Sequence, residues 1–414
     1  MSPLTPAQRW AALLALALGG FAIGLTEFVA MGLLPDIARS LFPAIYEQSA
    51  SQAVAHAGWV ISIYAAGVVI GAPLFAAGTA RVPRKKMLLI LLAIFIAGTV
   101  ASAVAPTFGL VLVARFVAAL PHGAYFGAAG LVAASIMGPG SHGKGFAVTL
   151  GGLTVANVIG VPAITWIGQA AGWRVAYLAI AVVFALTLFA VLATVPSVAA
   201  HPNGTARSEL RAFRRPQVWL TAGIASLGFG GFFAIDSYIT TVTTHVAGLS
   251  ASTVPWVLAV VGLGMTVGNA AGGWASDRNM RLAIMAGFPA FIVSMAVFAL
   301  IARSHIGLFL GAFLVGATGV FLGPALQSRL IAVAPGAQMM GAALNQSAMN
   351  VANSLGALLG GIVIAHGLGY IAPSWVGVGF GLLGFALAGT SFALEATTRP
   401  ATAEQSLREP AEVR

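Results

Sequence analysis

Glu27, Asp236, Arg115 and His122 are ionisable side chains set inside long apolar stretches of a 414-residue chain. An ionisable group in such a stretch is costly and by default marks a function. For Glu27 an apolar surrounding favours the neutral acid over the carboxylate. Such an acid can take up a proton on one side of a barrier and release it on the other. The plainer reading is an acid hydrogen-bonded to a neighbouring helix. Asp236 could be a second proton site, a partner for a polar or cationic substrate, or an acid hydrated near an interface. An arginine stays protonated, so Arg115 must find a carboxylate, carbonyls or water. It could pair with Glu27 or extend to the outer surface. His122 follows Arg115 by seven residues and so shares about the same helical face. Imidazole titrates in the range that a proton relay needs. Gly123 and Gly127 beside it equally suit close helix packing.

A second set of residues could line a binding cavity. Asn157 and Asn353 are amides inside apolar runs, and Gln327, Asn345, Gln346 and Asn350 add polarity to the second half. Some of these must face protein or water, because lipid cannot satisfy them. Tyr125, Phe126, Phe232, Phe233 and Tyr238 could form an aromatic wall, or simply pack. Asp36, just after Pro35, reads as an interfacial loop residue.

The elements that hold these residues follow from composition. Hydrophobic residues make up 59% of the chain and charged residues 7%, with mean hydropathy +0.95. Soluble domains carry roughly 25% charged residues, so the solvent this chain suits is a lipid bilayer. A spanning helix needs about 20 mostly apolar residues. Twelve such runs fit: 10–34, 54–79, 86–105, 109–135, 145–170 and 173–195, then 217–241, 254–276, 281–302, 306–333, 341–366 and 373–394. The first run is preceded only by Arg9 and contains Glu27, so it reads as an uncleaved span rather than a signal peptide. Of the 20 basic residues, sixteen fall in segments on the side of the N-terminus and three on the other. By the positive-inside rule both termini face the cytoplasm. The net charge of +10 is explained by this topology, and no nucleic-acid partner is expected.

The chain reads as four parts. Residues 1–195 form one six-helix bundle and 217–395 another. Residues 196–216 form a basic cytoplasmic linker, and 396–414 a disordered cytoplasmic tail. The two bundles repeat. Trp10 precedes Glu27 by 17 residues, as Trp219 precedes Asp236. Trp59, Gly67, Gly71, Arg81 and Arg84 recur at constant offset as Trp256, Gly264, Gly268, Arg278 and Arg281. Val155-Ala156-Asn157 recurs as Val351-Ala352-Asn353. Internal repeats of this kind are a transporter signature.

The local motifs carry a resemblance. Gly273-Trp-Ala-Ser-Asp277-Arg278-Asn-Met-Arg281 resembles the loop between spans 8 and 9 of the major facilitator superfamily. The equivalent first-half loop keeps Arg81 and Arg84 but has Ala80 at the aspartate position. Thr26-Glu27-Phe28, Pro121-His122-Gly123-Ala-Tyr125-Phe126-Gly127, Thr154-Val-Ala-Asn157 and Gly172-Trp173-Arg174 resemble the twelve-span drug:proton antiporters, near the sugar-efflux and chloramphenicol-efflux members. The resemblance implies an all-α membrane fold of twelve helices in two pseudo-symmetric bundles. It implies a monomer in the bacterial inner membrane that exports a small drug-like amphiphile or sugar by alternating access. Protons would be the coupling ion, with no other cofactor. Arg115 resembles the superfamily's span-4 arginine associated with proton coupling, though Ala118 and Ala119 replace the usual glutamine and glycine. Asp277, Arg278 and Arg281, with Gly273, Arg81 and Arg84, would form a cytoplasmic gate that latches the outward-open state. Import, uniport and a non-transporting sensor remain alternatives to export.

Enzymatic readings find no support in the sequence. Without cysteine, disulfides, thiolate metal sites and cysteine nucleophiles are excluded. No Walker loop is present to cradle ATP, the histidines show no metal-ligand spacing, and no Ser/His/Asp pattern can be argued.

Overall fold

A computed structural model describes residues 5–78, 82–138, 142–197, 214–334 and 338–398. Every regular element among them is helical. The expected linker and tail fall almost wholly outside the described residues.

Span 1 is the helix Pro6–Gly32. Thr5 caps it, accepting from the Gln8 amide while the Gln8 side chain accepts from Thr5 in return. That reciprocal pair satisfies two of the backbone donors a helix start leaves free. Span 2 is Trp59–Gly78 and span 3 Arg84–Val104. Span 4 is broken into Phe108–Ala119 and His122–Met137, because Pro121 lacks the amide a continuous helix would use. Span 5 runs from His142–Val155 through a wide π turn, Ala156–Gly160, into Val161–Ala171. The π turn stands just before Pro162, where the missing amide again disturbs the ladder. Gly172, at φ +97°, makes the tight corner into span 6, Trp173–Thr194.

In the second half, span 7 is Pro216–Asp236 and continues through a second π turn at Val242–Val246. Spans 8 and 9 share one helical stretch, Val254–Ile301, with non-helical backbone at Asn279. Its 48 residues would reach about 72 Å if straight, more than twice a bilayer core of about 30 Å. The break at Asn279 therefore separates two spans, and the count among the described residues is twelve. Spans 10, 11 and 12 are His305–Ala332, Gln338–Ala365 and Ala372–Thr398.

The repeat expected from the sequence reappears as packing. Gly67 and Gly71 of span 2 lie against the backbone of Phe116 and Leu120 in span 4. Their counterparts Gly264 and Gly268 of span 8 lie against Phe313 and Ala317 in span 10. All four pairs share one offset between halves. Small residues let these backbones approach, as membrane helices need where no hydrophobic effect drives association. Lipid exposure is legible too. Seven of the eight tryptophans are exposed, with Trp10, Trp219 and Trp274 near one end of the bundle and Trp59, Trp166, Trp256 and Trp375 near the other. Two such girdles mark two membrane interfaces.

Between spans 1 and 2 the structure corrects the loop expected at Asp36. Three short helices, Leu34–Leu41, Pro43–Gln48 and Ala50–Ala57, fill the segment. Asp36 sits in the first turn of the first of them, where a helix dipole favours a carboxylate. Partial burial nonetheless pushes its carboxyl above the ordinary value, with Arg39 opposing the shift.

At the end bearing the chain termini, Arg329 ties three spans together. Its place near the end of an apolar run suggests a loop charge, yet it lies within span 10 and is 2% exposed. It pairs with Glu395 of span 12 at 3.1 Å and donates to Ser391 at 2.8 Å and to Gln217 of span 7 at 3.4 Å. The Phe392 ring lies beneath it at 4.1 Å. Arg329→Met keeps the bulk and removes every one of these hydrogen bonds. The expected cost is about 2 kcal/mol, read as a lowered thermal unfolding midpoint of the purified protein. An unchanged midpoint would show that the tie adds nothing.

Candidate functional site

Among the described residues, the hydrogen bonds that join the two halves gather at the end of the bundle opposite the termini. Ser62 of span 2 and Ser354 of span 11 exchange bonds to each other's carbonyls at 3.2 and 3.3 Å. The Thr240 hydroxyl, just beyond span 7, donates to the carbonyls of Met31 and Gly32 at the end of span 1. Gln169 of span 5 donates to the Ala251 carbonyl at 2.9 Å. Tyr238 sits among Gly58, Gly360 and Gly361, with its hydroxyl donating to the Ala357 carbonyl at 2.7 Å. The backbone of Asn157, in the π turn of span 5, abuts Gly262 of span 8. This end is closed.

Glu27 lies five residues before the end of span 1, just below that closure, and is 7% exposed. Its carboxylate oxygen stands 4.0 Å from Nε2 of His122 in span 4. On the other side of His122, Nδ1 stands 3.3 Å from the Tyr64 hydroxyl of span 2. With Tyr64 donating to Nδ1, the Nε2 hydrogen faces Glu27. At 4.0 Å that contact is too long for a hydrogen bond, and a shift of about 1 Å closes it. Asn353 of span 11 brings an amide of the opposite half close to Glu27. Asn353 is 1% exposed, and its Oδ1 has no partner.

Arg115 is also drawn into this cluster, but not as Glu27's ion-pair partner. Its Nη1 donates to Thr26 Oγ1 at 3.0 Å, and the guanidinium lies over the Tyr64 ring at 4.2 Å and near the Tyr177 ring at 5.3 Å. Arg115 is 1% exposed, so it does not extend to the surface. A desolvated cation over an aromatic face gains about 2 kcal/mol. The break at Leu120–Pro121 does not separate the two basic residues of span 4, because both reach Tyr64. Two members of the cluster, Tyr64 and Tyr177, are not singled out by the sequence, and Thr26 enters there only within the Thr26-Glu27-Phe28 motif. The signal was present, since a phenol inside an apolar run needs a partner as an arginine does.

Asp236 closes span 7 and is buried, but it does not join this cluster. Within the described residues it forms no ion pair. The residues expected along a cavity are dispersed. Tyr125 is fully buried within the first half, its hydroxyl donating to the Leu16 carbonyl at 3.1 Å. Phe126 packs 5.4 Å from the His122 ring. Phe232 and Phe233 meet edge-to-face at 5.2 Å, with Phe232 also against Gly319. Asn345 and Asn350 are buried with unpartnered Oδ1 atoms, and Asn350 donates back to the Gln346 carbonyl. Gln327 and Gln346 are half-buried, and Asn157 is buried.

The residues expected at the gate do not cross-link. Asp277 and Arg278 are exposed. Arg278 lies over Trp274 at 3.6 Å and Arg281 over Phe392 at 5.2 Å, both within the second half. Arg84 contacts Met87; Gly273 has open space beside its Cα, and Arg81 lies outside the described residues. With the opposite end closed, nothing at the terminal end requires a latch.

The Major Facilitator Superfamily model matches residues 16–306 and 248–412. The chain belongs to this superfamily. The superfamily's twelve-helix architecture is the one described above. The inner membrane transport protein YdhP of Escherichia coli (strain K12) is 36% identical over 86% of this chain and 90% of its own. A chloramphenicol resistance protein of Streptomyces lividans is 31% identical over 87% of this chain and 90% of its own. The crystal structure of a D-xylose-proton symporter, only 16% identical, superposes with a TM-score of 0.73 over 92% of this chain and 97% of its own. That last likeness concerns the fold alone. The chain is thus a multi-pass membrane protein of a transporter family.

Proposed function

We propose that this superfamily member exports a small molecule across a bacterial inner membrane in exchange for protons, with both termini in the cytoplasm. It acts as a monomer and as a transporter rather than an enzyme. The reading is carried by one observation: Glu27 is a buried acid at the seam between halves, with His122 of its own half 4.0 Å away and Asn353 of the other half close by. An acid so placed changes its surroundings whenever the halves rock. With the outer end open, Glu27 faces the outer solution and loads a proton. Closure brings Asn353 against it and opens the terminal end, where the proton leaves and substrate loads. His122 and Tyr64 extend the path along which the proton moves. The 31% identity to a chloramphenicol resistance protein supports a drug-like amphiphile as substrate, with sugars the second class to try.

A membrane potential supplies about 2.3 kcal/mol per charge per 100 mV. Purified protein in liposomes with an imposed pH gradient tests the proposal. Chloramphenicol, then a panel of amphiphiles and sugars, should collapse the gradient faster when the substrate moves against the protons. Dissipation only when substrate and protons move the same way would replace export by import. Flux indifferent to the gradient would replace both by uniport.

A further inference from the structure

The guanidinium of Arg115 is only partly satisfied by what surrounds it. One nitrogen bonds Thr26, and two aromatic rings cover its faces. Nε and Nη2 have no partner, and neither does the nearby Tyr177 hydroxyl. Among the described residues no carboxylate forms an ion pair with Arg115; Glu27 makes its contact with His122 instead. The groups that face Arg115 are Thr26 and Glu27 from span 1, Tyr64 from span 2 and Tyr177 from span 6, with His122 of its own span reached through Tyr64. Only Glu27 among them can carry the opposing charge at ordinary pH. A buried cation left without one is strongly unfavourable, and unfilled buried donors add to the cost. Water can fill a donor but brings no charge.

We propose that Arg115 and Tyr177 form a binding site for a small anion, occupied when Glu27 carries its proton. The anion takes hydrogen bonds from Nε, Nη2 and the Tyr177 hydroxyl and replaces the charge that Glu27 has lost. It is a free halide from solution, because a substrate acid bound together with the proton would travel with it rather than against it. The proposal rests on Glu27 changing charge, as the export reading does. Linkage then works in both directions: whatever factor protonation adds to anion affinity, the anion adds to proton affinity. Anion binding would thus help load the proton.

Thermal unfolding of the purified wild type tests this without any transport. Sodium chloride is titrated against sodium gluconate at fixed ionic strength, at about pH 5.5 and about pH 8.5, on either side of neutrality. Chloride should stabilise the protein in preference to gluconate, with affinity higher at the acidic pH by about tenfold. Glu27→Gln should bind chloride equally at both pH values, with the tighter affinity. Tyr177→Phe should weaken binding at acidic pH while leaving the fold intact. A shift by benzoate but not chloride overturns the halide site and points to a substrate acid that binds with the proton, which is co-transport rather than exchange. No preference for either anion, in wild type and Glu27→Gln alike, overturns the site. Binding that ignores pH in the wild type overturns its link to Glu27. If the site fails while Glu27→Gln still abolishes uphill export, only the anion proposal falls. If the site holds while uphill export survives Glu27→Gln, the coupling role of Glu27 falls and the anion site stands.

Discussion

Glu27→Gln is expected to leave the protein folded and inserted while removing its ability to export uphill. Glutamine keeps the shape of the acid and can still meet the Asn353 amide of span 11. It removes a group that is costly to ionise at this depth, so thermal stability should change by no more than about 1 kcal/mol. What it cannot do is carry a proton. One proton moving through 100 mV yields about 2.3 kcal/mol, and each 1.36 kcal/mol is tenfold in an equilibrium. The wild type should therefore sustain a substrate ratio of about fifty across an energised membrane, and the variant a ratio of about one. Downhill exchange of labelled substrate should persist, because the halves can still rock. Energised vesicles loaded with substrate measure both quantities. A steady-state ratio undiminished in Glu27→Gln would remove Glu27 from the coupling. Should Asp236→Asn instead collapse the ratio, the proton site belongs to span 7.

The large features were legible because each rests on a rule that single residues obey. Twelve apolar runs give twelve helices because lipid leaves the backbone no other partner. The doubled glycines announced the repeat because the same close approach is needed in both halves: Gly67 and Gly264 each meet the backbone of a phenylalanine in the neighbouring span. Glu27 and His122 were visible as ionisable groups in oil, and the structure brings them together. Depth along a helix can be counted, but direction around it cannot. Arg115 and Glu27 were at compatible depths, yet the guanidinium settles on Thr26 and two tyrosines. Tyr125 had the right chemistry for a cavity wall but spends its hydroxyl on Leu16 within its own half. The helical segment after Pro35 was hidden for another reason. Its helices have six to eight residues, too short to show a period that a loop could not also show.

Closure of the end opposite the termini, the outer end on the export reading, rests on a glycine that carries no chemistry. Gly262 of span 8 faces the π turn of span 5, and a Cβ there would meet the carbonyl oxygen of Asn157, with the carbonyl carbon 2.6 Å away and the Val158 nitrogen at 3.0 Å. These are backbone atoms of the opposite half, so no side chain can swing aside. Gly264, two residues on, faces Phe313 of its own half, and a methyl there would strain the fold itself. At Gly262 the same methyl strains only one arrangement of two intact bundles. Overpacking of this kind costs about 1–3 kcal/mol, which shifts a two-state equilibrium by a factor of about 5 to 150. Gly262→Ala should therefore fold, insert and remain open on the outer side, with transport reduced about tenfold or more. The absence of cysteine from the chain gives a clean reporter. The thiol introduced by Ser62→Cys, buried against span 11 in the closed form, should resist a membrane-impermeant maleimide applied from outside. Combined with Gly262→Ala, the same thiol should label rapidly. Gly273→Ala is the control, because a Cβ there meets nothing within 4 Å. Full transport and a still-protected thiol in the Gly262→Ala background would show that spans 5 and 8 need not touch, and that the remaining bonds of Ser354, Thr240 and Gln169 across the halves hold this end shut.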